Sequence, residues 1–256
     1  MFRLIETLKL IRLINCVMAM VAAWIGARMA WLHPVYFEPA VAGLAVFLVC
    51  AAGNVVNDCV DVEIDRINRP ARPLVKGTLT RRYAFLLAAF FNLTAIGLSV
   101  LLSWPVTYLT VGAISLLYLY NYLLKKVPLL GNVVISLLAG LAFIAGGFAV
   151  DPVVTFYPAG PVVAAVFAFL FHLVREFIKD IADIEGDRAA GVRTLPQIIG
   201  EQRTLSWALV LFFILVVVTL LPILFGWFGA WYKIIAIYII DLPLLLYLIF
   251  LWGNPT

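Results

Sequence analysis

A succession of apolar runs, each of roughly 20 residues, constrains this chain more than any other feature. Eight can be placed, near 12–31, 38–57, 83–103, 106–123, 130–150, 160–180, 204–222 and 230–252. A helix rises 1.5 Å per residue, so about 20 residues cross a ~30 Å hydrocarbon core. Lipid offers no partners to open backbone groups, which leaves helices or a closed barrel. Barrel strands alternate between apolar and polar faces, whereas these runs are apolar on both parities. The expected fold is therefore all-α: one membrane-embedded domain over residues 1–256, a polytopic transmembrane helix bundle. Pro34, Pro105, Pro128, Pro158 and Pro161 fall at or near the breaks, where a missing N–H costs little.

Composition agrees. The chain is 65% hydrophobic and 12% charged, against about 25% charged in soluble domains. Three cysteines are too few for a disulfide scaffold and read as small buried hydrophobes. The net charge of +4 does not imply nucleic acid, because no soluble basic face exists to bind it. It reads instead as topology. With the N-terminus inside, 16 of the 18 basic residues collect on the inner side, and only Arg28 and Lys233 lie near the outer ends. The expected location is the cell membrane, multi-pass, with the charged segments facing the cytoplasm. No cleavable signal peptide is expected, since the apolar stretch after Arg12 is too long and lacks a small-residue cleavage site.

Of the 32 charges, 21 lie in two windows, 57–82 and 175–203. The first opens with Asn57, Asp58, Asp61, Glu63 and Asp65. Asn57, Asp61 and Asp65 are spaced i, i+4, i+8, so a helical continuation puts them on one face. The second holds Asp180, Asp183, Glu185 and Asp187. With a constant offset of 122, Asp58, Asp61, Glu63, Asp65 and Arg66 fall on Asp180, Asp183, Glu185, Asp187 and Arg188. This register predicts two pseudo-repeated halves, about 1–125 and 126–256, each giving one acidic helix end. Stacked carboxylates repel one another unless a cation neutralises them. Oxygen ligands without His or Cys select hard ions, and Mg²⁺ takes one or two carboxylates together with substrate phosphates. Arg66, Arg69, Arg72 and Lys76 follow the first motif, and Arg188 and Arg193 the second. Carboxylates, a divalent cation and Arg/Lys together describe a diphosphate cradle. A zinc site is not expected, because His33 and His172 are far apart.

These residues carry a resemblance. Asn57-Asp58-x-x-Asp61-x-x-x-Asp65 with Asp183-x-x-x-Asp187 resembles the two aspartate-rich motifs of the UbiA superfamily of intramembrane prenyltransferases. The runs Asp61–Pro73 and Arg175–Asp187, with Thr194-Leu195-Pro196 downstream, are most similar to its digeranylgeranylglyceryl phosphate synthase branch. The resemblance implies a helical bundle around a central cavity, capped by acidic cytoplasmic loops, and a family pattern of nine spans where eight are counted here. It implies that Asn57, Asp61, Asp65, Asp183 and Asp187 hold Mg²⁺ and through it a prenyl diphosphate, with Asp58 and Asp180 as further metal candidates. Arg72, Lys76 and Arg193 would contact diphosphate oxygens. Arg12-Leu13-Ile14-Asn15 is similar to the family's Arg-Pro-x-Asn element, with Leu13 in the place of proline, so Asn15 is expected to face the cavity.

The implied reaction is Mg²⁺-assisted transfer of a prenyl group, geranylgeranyl in this branch, to the hydroxyl of a lipid-like acceptor, geranylgeranylglyceryl phosphate. Among Tyr108, Tyr118, Tyr120 and Tyr122, Tyr118 is the candidate to face an allylic cation. Lys125-Lys126 or Arg81-Arg82 could meet the acceptor phosphate, Lys125 foremost. Two other readings stand: prenylation of an aromatic quinone precursor or chlorophyll-type acceptor, and a divalent-cation transporter. Asp241, a lone acid in the last run, is either functional or bonded to backbone groups freed by Pro243.

Overall fold

The computed structural model describes residues 2–31, 36–189 and 191–253; His33 and Pro34 lie outside them. Helix α1 (Phe2–Ile11) meets α2 (Leu13–Met29) at a 51° bend. The hinge is Arg12, at φ 54° and ψ 62°, a left-handed conformation unusual for a residue with a side chain. Then come α3 (Phe37–Val60) and the short α4 (Val62–Asn68). Helix α5 (Arg81–Val100) starts at Thr80, whose hydroxyl accepts from the Tyr83 N–H. Helix α6 (Trp104–Tyr122) starts at Ser103, with Pro105 in its first turn. Helices α7 (Leu130–Val150), α8 (Pro161–Ala182), α9 (Ile184–Ala189), α10 (Leu195–Ile199) and α11 (Glu201–Leu224) follow. The last run is α12 (Ala230–Ile234), a π-helical stretch (Ile235–Asp241) and α13 (Leu242–Gly253).

Each predicted run coincides with a helix or a chain of helices. Six are long and apolar enough to cross a membrane, and the bent α1–α2 pair makes a seventh if it counts as one span. Helix α6 is not among them, because Thr107, Thr110, Ser115, Asn121 and four tyrosines dilute its hydropathy. Among the described residues the structure is all-helical, and the protein is a multi-pass membrane protein.

Small residues bring the central helices together, as expected where lipid is as apolar as the interface. A Cβ at Gly146 would lie 1.7 Å from the Ala23 carbonyl oxygen, and one at Gly26 2.0 Å from that of Phe143. Helices α2 and α7 therefore touch backbone to backbone. One apolar core gathers around α1, α3 and α5, including Leu10, Val55, Val56 and Ala88. A second joins α8, α11 and α13 through Phe177, Phe212, Leu215 and Leu248. Between them lies a cavity of about 1520 Å³. Large side chains such as Leu86, Phe90, Leu93 and Phe213 point outward, the pattern of a lipid-facing surface.

Candidate active site

Both acidic motifs sit where a long helix hands over to a short one. Helix α3 ends at Val60 and α8 at Ala182, and the next residues adopt nearly the same conformation: Asp61 at φ −89°, ψ 8° and Asp183 at φ −96°, ψ 5°. Backbone hydrogen bonds cross each junction. The Asp61 N–H donates to Asn57 (2.9 Å) and that of Asp65 to Asp61 (2.8 Å); those of Asp183 and Asp187 donate to Lys179 (2.9 Å) and Asp183 (3.0 Å). The four-residue register thus survives the bend, and Asn57, Asp61, Asp65, Asp180, Asp183 and Asp187 all line the cavity. The two short helices meet at Gly186, where a Cβ would lie 1.9 Å from the Asn68 Oδ1. Only glycine allows this approach.

Basic side chains interleave with the carboxylates. Lys125 pairs with Asp61, and Arg72 with Asp65. Arg72 and Arg12 each reach Asp58 at 2.7 Å, and Arg12 also donates to the Asn57 Oδ1 at 3.0 Å. Arg69 crosses from the first motif to Asp183 of the second at 2.9 Å. Asn132 donates to Asp180 at 2.8 Å, and Asn57 to Asn121 at 3.0 Å. Burial, reinforced by the negative Asp180 and Asp183, pushes the Asp187 carboxyl up to about 6. Burial also raises Asp65, against the pull of Arg72, and lowers Arg72 itself with help from the nearby Arg12 charge.

Asn15, Arg72, Lys125 and Arg193 line the cavity with the motif residues. Three expected residues do not. Asp58 is buried behind the wall, its carboxylate engaged by two guanidinium groups, so it positions Arg12 and Arg72 rather than facing the cavity. Lys76 is exposed in the loop after α4 and is not part of the lining. Tyr118 packs against the α3–α5 core and accepts from the Asn92 Nδ2 at 3.1 Å. Two residues further on, about 200° around the helix, the buried Tyr120 faces the cavity instead. Arg81, Arg82 and Lys126 are also absent from the lining.

Arg69, one of the bases that trail the first motif, lines the cavity and reaches the second motif. The sequence pattern points to no role for the Arg12 side chain, for Asn121 or Asn132, or for the Gly186–Asn68 contact; the direction of Arg12 depends on the bend between α1 and α2. Asp241 lies at the far end of the cavity. Its Oδ2 accepts from the Thr219 hydroxyl at 2.8 Å, and Tyr232 donates to the Thr219 carbonyl at 2.7 Å. A side chain, not freed backbone, therefore partners Asp241, and its Oδ1 is buried without a hydrogen bond.

The donor set is all oxygen, with no His or Cys among the motif residues at the rim, which suits a hard divalent ion. Among the described residues no three acidic, His or Cys side chains converge closely enough to cage an ion unaided. That fits Mg²⁺, which uses few carboxylates and completes its shell with waters and substrate phosphates.

Residues 16–255 match the model of the UbiA prenyltransferase family. A digeranylgeranylglyceryl phosphate synthase from Thermococcus sibiricus is 36% identical over 90% of this chain and 81% of its own length. One from Methanopyrus kandleri is 38% identical over 90% and 83%. A solved digeranylgeranylglyceryl phosphate synthase structure superposes with a TM-score of 0.77 at 33% identity, covering 100% of this chain and 90% of that one. A UbiA homologue from Archaeoglobus fulgidus bound to DMAPP and Mg²⁺ shares the fold at 19% identity, with a TM-score of 0.75 over 97% and 88%.

Proposed function

The chain belongs to the UbiA prenyltransferase family, and on that premise we propose that it transfers a geranylgeranyl group from its diphosphate to the hydroxyl of geranylgeranylglyceryl phosphate. The observation that carries this reading is the meeting of two aspartate motifs and their basic partners at one mouth of a largely apolar cavity. The acceptor is the one that the names of the similar synthases point to, rather than an aromatic or chlorophyll-type molecule.

Asn57, Asp61, Asp65, Asp183 and Asp187 would hold Mg²⁺, with Asp180 beside them. Bound with the diphosphate, Mg²⁺ supplies neutralisation of the leaving group's charge. Arg69, Arg72, Lys125 and Arg193 present N–H donors to the diphosphate oxygens from the same rim. The allylic C1–O bond breaks with its electron pair on the diphosphate; the acceptor oxygen bonds to C1, and a proton is released. Leu138, Leu141 and Phe167 line the cavity below and keep water from the developing cation. Tyr120 is the aromatic side chain of α6 placed to face that charge.

The same reading makes all eight helical runs membrane spans. It places the N-terminus and both motifs on the cytoplasmic side and treats the chain as two pseudo-repeated halves. The near-identical backbone at Asp61 and Asp183 supports the last point. A cation transporter would string its acids along a path, whereas the motif acids gather at one mouth beside Arg69, Arg72 and Lys125. Asp61→Asn and Asp183→Asn should each abolish Mg²⁺-dependent transfer while the protein remains folded by circular dichroism. Retained transfer in either variant would overturn the assignment.

A further inference from the structure

Helix α8 carries a group of charges that the diphosphate cradle does not use. Arg175, Glu176 and Lys179 all line the cavity, on the face that continues to Asp180 and Asp183. Glu176 is buried and accepts from both neighbours, from Arg175 at 2.7 Å and from Lys179 at 2.5 Å. Lys179 lies a further 4.0 Å from Asp180. One carboxylate thus holds two cations upright on the wall, and Glu176 is the one ion-pair partner found for Arg175 among the described residues. The Arg175 side chain lines the cavity and is 54% exposed, so its pairing with Glu176 leaves it room for a further partner. It lies eight residues before Asp183, about 12 Å deeper at 1.5 Å per residue. Glu176 answers Arg175 and Lys179 with a single negative charge, so the triad keeps a net positive charge at a depth where charge is costly unless it is met.

The donor alone does not explain these cations. With its diphosphate at the rim, its hydrocarbon chain runs inward past the level of Arg175, where a charged wall is unfavourable. The rim bases Arg69, Arg72, Lys125 and Arg193 are taken up by the donor's diphosphate in that reading, which leaves Arg175 and Lys179 as the further basic side chains of α8 on the cavity wall. We propose that Arg175 and Lys179, braced by Glu176, form a second anion site that binds the phosphate monoester of the acceptor and selects phosphorylated over neutral alcohols. Arg175 offers a planar fork to two phosphate oxygens and Lys179 a point charge. This inference rests on the prenyl-transfer reading and adds to it the residues that choose the acceptor, in place of Lys125.

Two measurements on the full-length protein in detergent micelles test it. In the first, geranylgeranyl diphosphate and Mg²⁺ are supplied with geranylgeranylglyceryl phosphate or with its dephosphorylated alcohol. Arg175→Ala should raise KM for the phosphorylated acceptor at least tenfold, leave KM for the diphosphate within twofold, and bring the ratio of kcat/KM for the two acceptors towards one. Arg175→Lys should restore part of that ratio. An unchanged ratio in Arg175→Ala, or an equal rise in both KM values, would overturn the proposal. In the second, binding of the phosphorylated acceptor is measured by calorimetry without donor. Wild type should bind at least tenfold more tightly than Arg175→Ala, and equal affinities would overturn the site whatever the turnover. Differential binding with no transfer to any acceptor would instead overturn the prenyl-transfer reading and leave the anion site standing. If Arg175→Ala does not fold, Lys179→Gln carries the same comparison.

Discussion

Replacing Gly186 with alanine puts a methyl group where the Asn68 amide now sits. The new Cβ would lie 1.9 Å from the amide oxygen and 2.2 Å from both Cγ and Nδ2. To reach ordinary van der Waals contact the amide must retreat by about 1.5 Å, and it sits at the end of α4, three residues beyond Asp65. Asn68 is half-buried and its amide is the end of a side chain that can turn away, so the cost falls at the low end of the range for overpacking, about 1 kcal/mol. Borne by the arrangement that brings the two motifs together, that cost lowers kcat/KM about fivefold, at 1.36 kcal/mol per factor of ten. The assay is steady-state transfer by Gly186→Ala, Asn68→Ala and the double variant. Removing the Asn68 amide makes room, so the double variant should recover to within about threefold of Asn68→Ala alone, a coupling that only contacting residues show. Wild-type activity in Gly186→Ala, or a double variant no better than Gly186→Ala, would refute the claim that this contact sets the distance between the motifs.

Without metal, the folded protein holds a proton on Asp187 up to about pH 6, whereas an unfolded aspartate loses it near 3.9. The folded state therefore binds the extra proton, and this group's stabilisation is full below about pH 4 and fades as pH rises through 6. Metal-free melting temperature should accordingly fall between pH 5 and pH 7, and added Mg²⁺ should raise it more at pH 7.5 than at pH 5. Tyr120→Leu should lower kcat at least tenfold, while Tyr118→Phe, which loses only the Asn92 bond, should stay within threefold; steady-state kinetics decide between them. Gly146→Ala drives a methyl into the Ala23 backbone, which cannot move aside as a side chain can, so the variant should fail to yield folded monodisperse protein in size-exclusion chromatography.

Much of the architecture was legible in the sequence because the bilayer is an exacting solvent. A run of 20 apolar residues there has essentially one solution, and all eight runs are helical. The motif register was equally legible, since i, i+4 spacing fixes a face whatever the rest of the fold does. What stayed hidden depends on direction rather than spacing. Tyr118 and Tyr120 look alike in sequence, yet they point to opposite sides of α6, and only the packing of α5 against α6 determines which one sees the cavity. Asp58 reads as one more motif acid until the left-handed turn at Arg12 brings a guanidinium behind the wall to meet it. Lys76 follows the motif in the chain but is exposed and outside the cavity lining, although Arg69 and Arg72 of the same loop belong to it. The Asp241–Thr219 bond joins residues 22 positions apart through a π-helical stretch that no hydrophobic period announces.

The central claim is that the motif rim activates a prenyl diphosphate for attack by a hydroxyl in the cavity. The most direct test is to incubate the purified protein with geranylgeranyl diphosphate, Mg²⁺ and a panel of acceptors, and to weigh the products by mass spectrometry. The expected product is geranylgeranylglyceryl phosphate enlarged by one geranylgeranyl group, formed only with the divalent ion present. Transfer to an aromatic acid alone, or no transfer to any acceptor by folded protein, would contradict it.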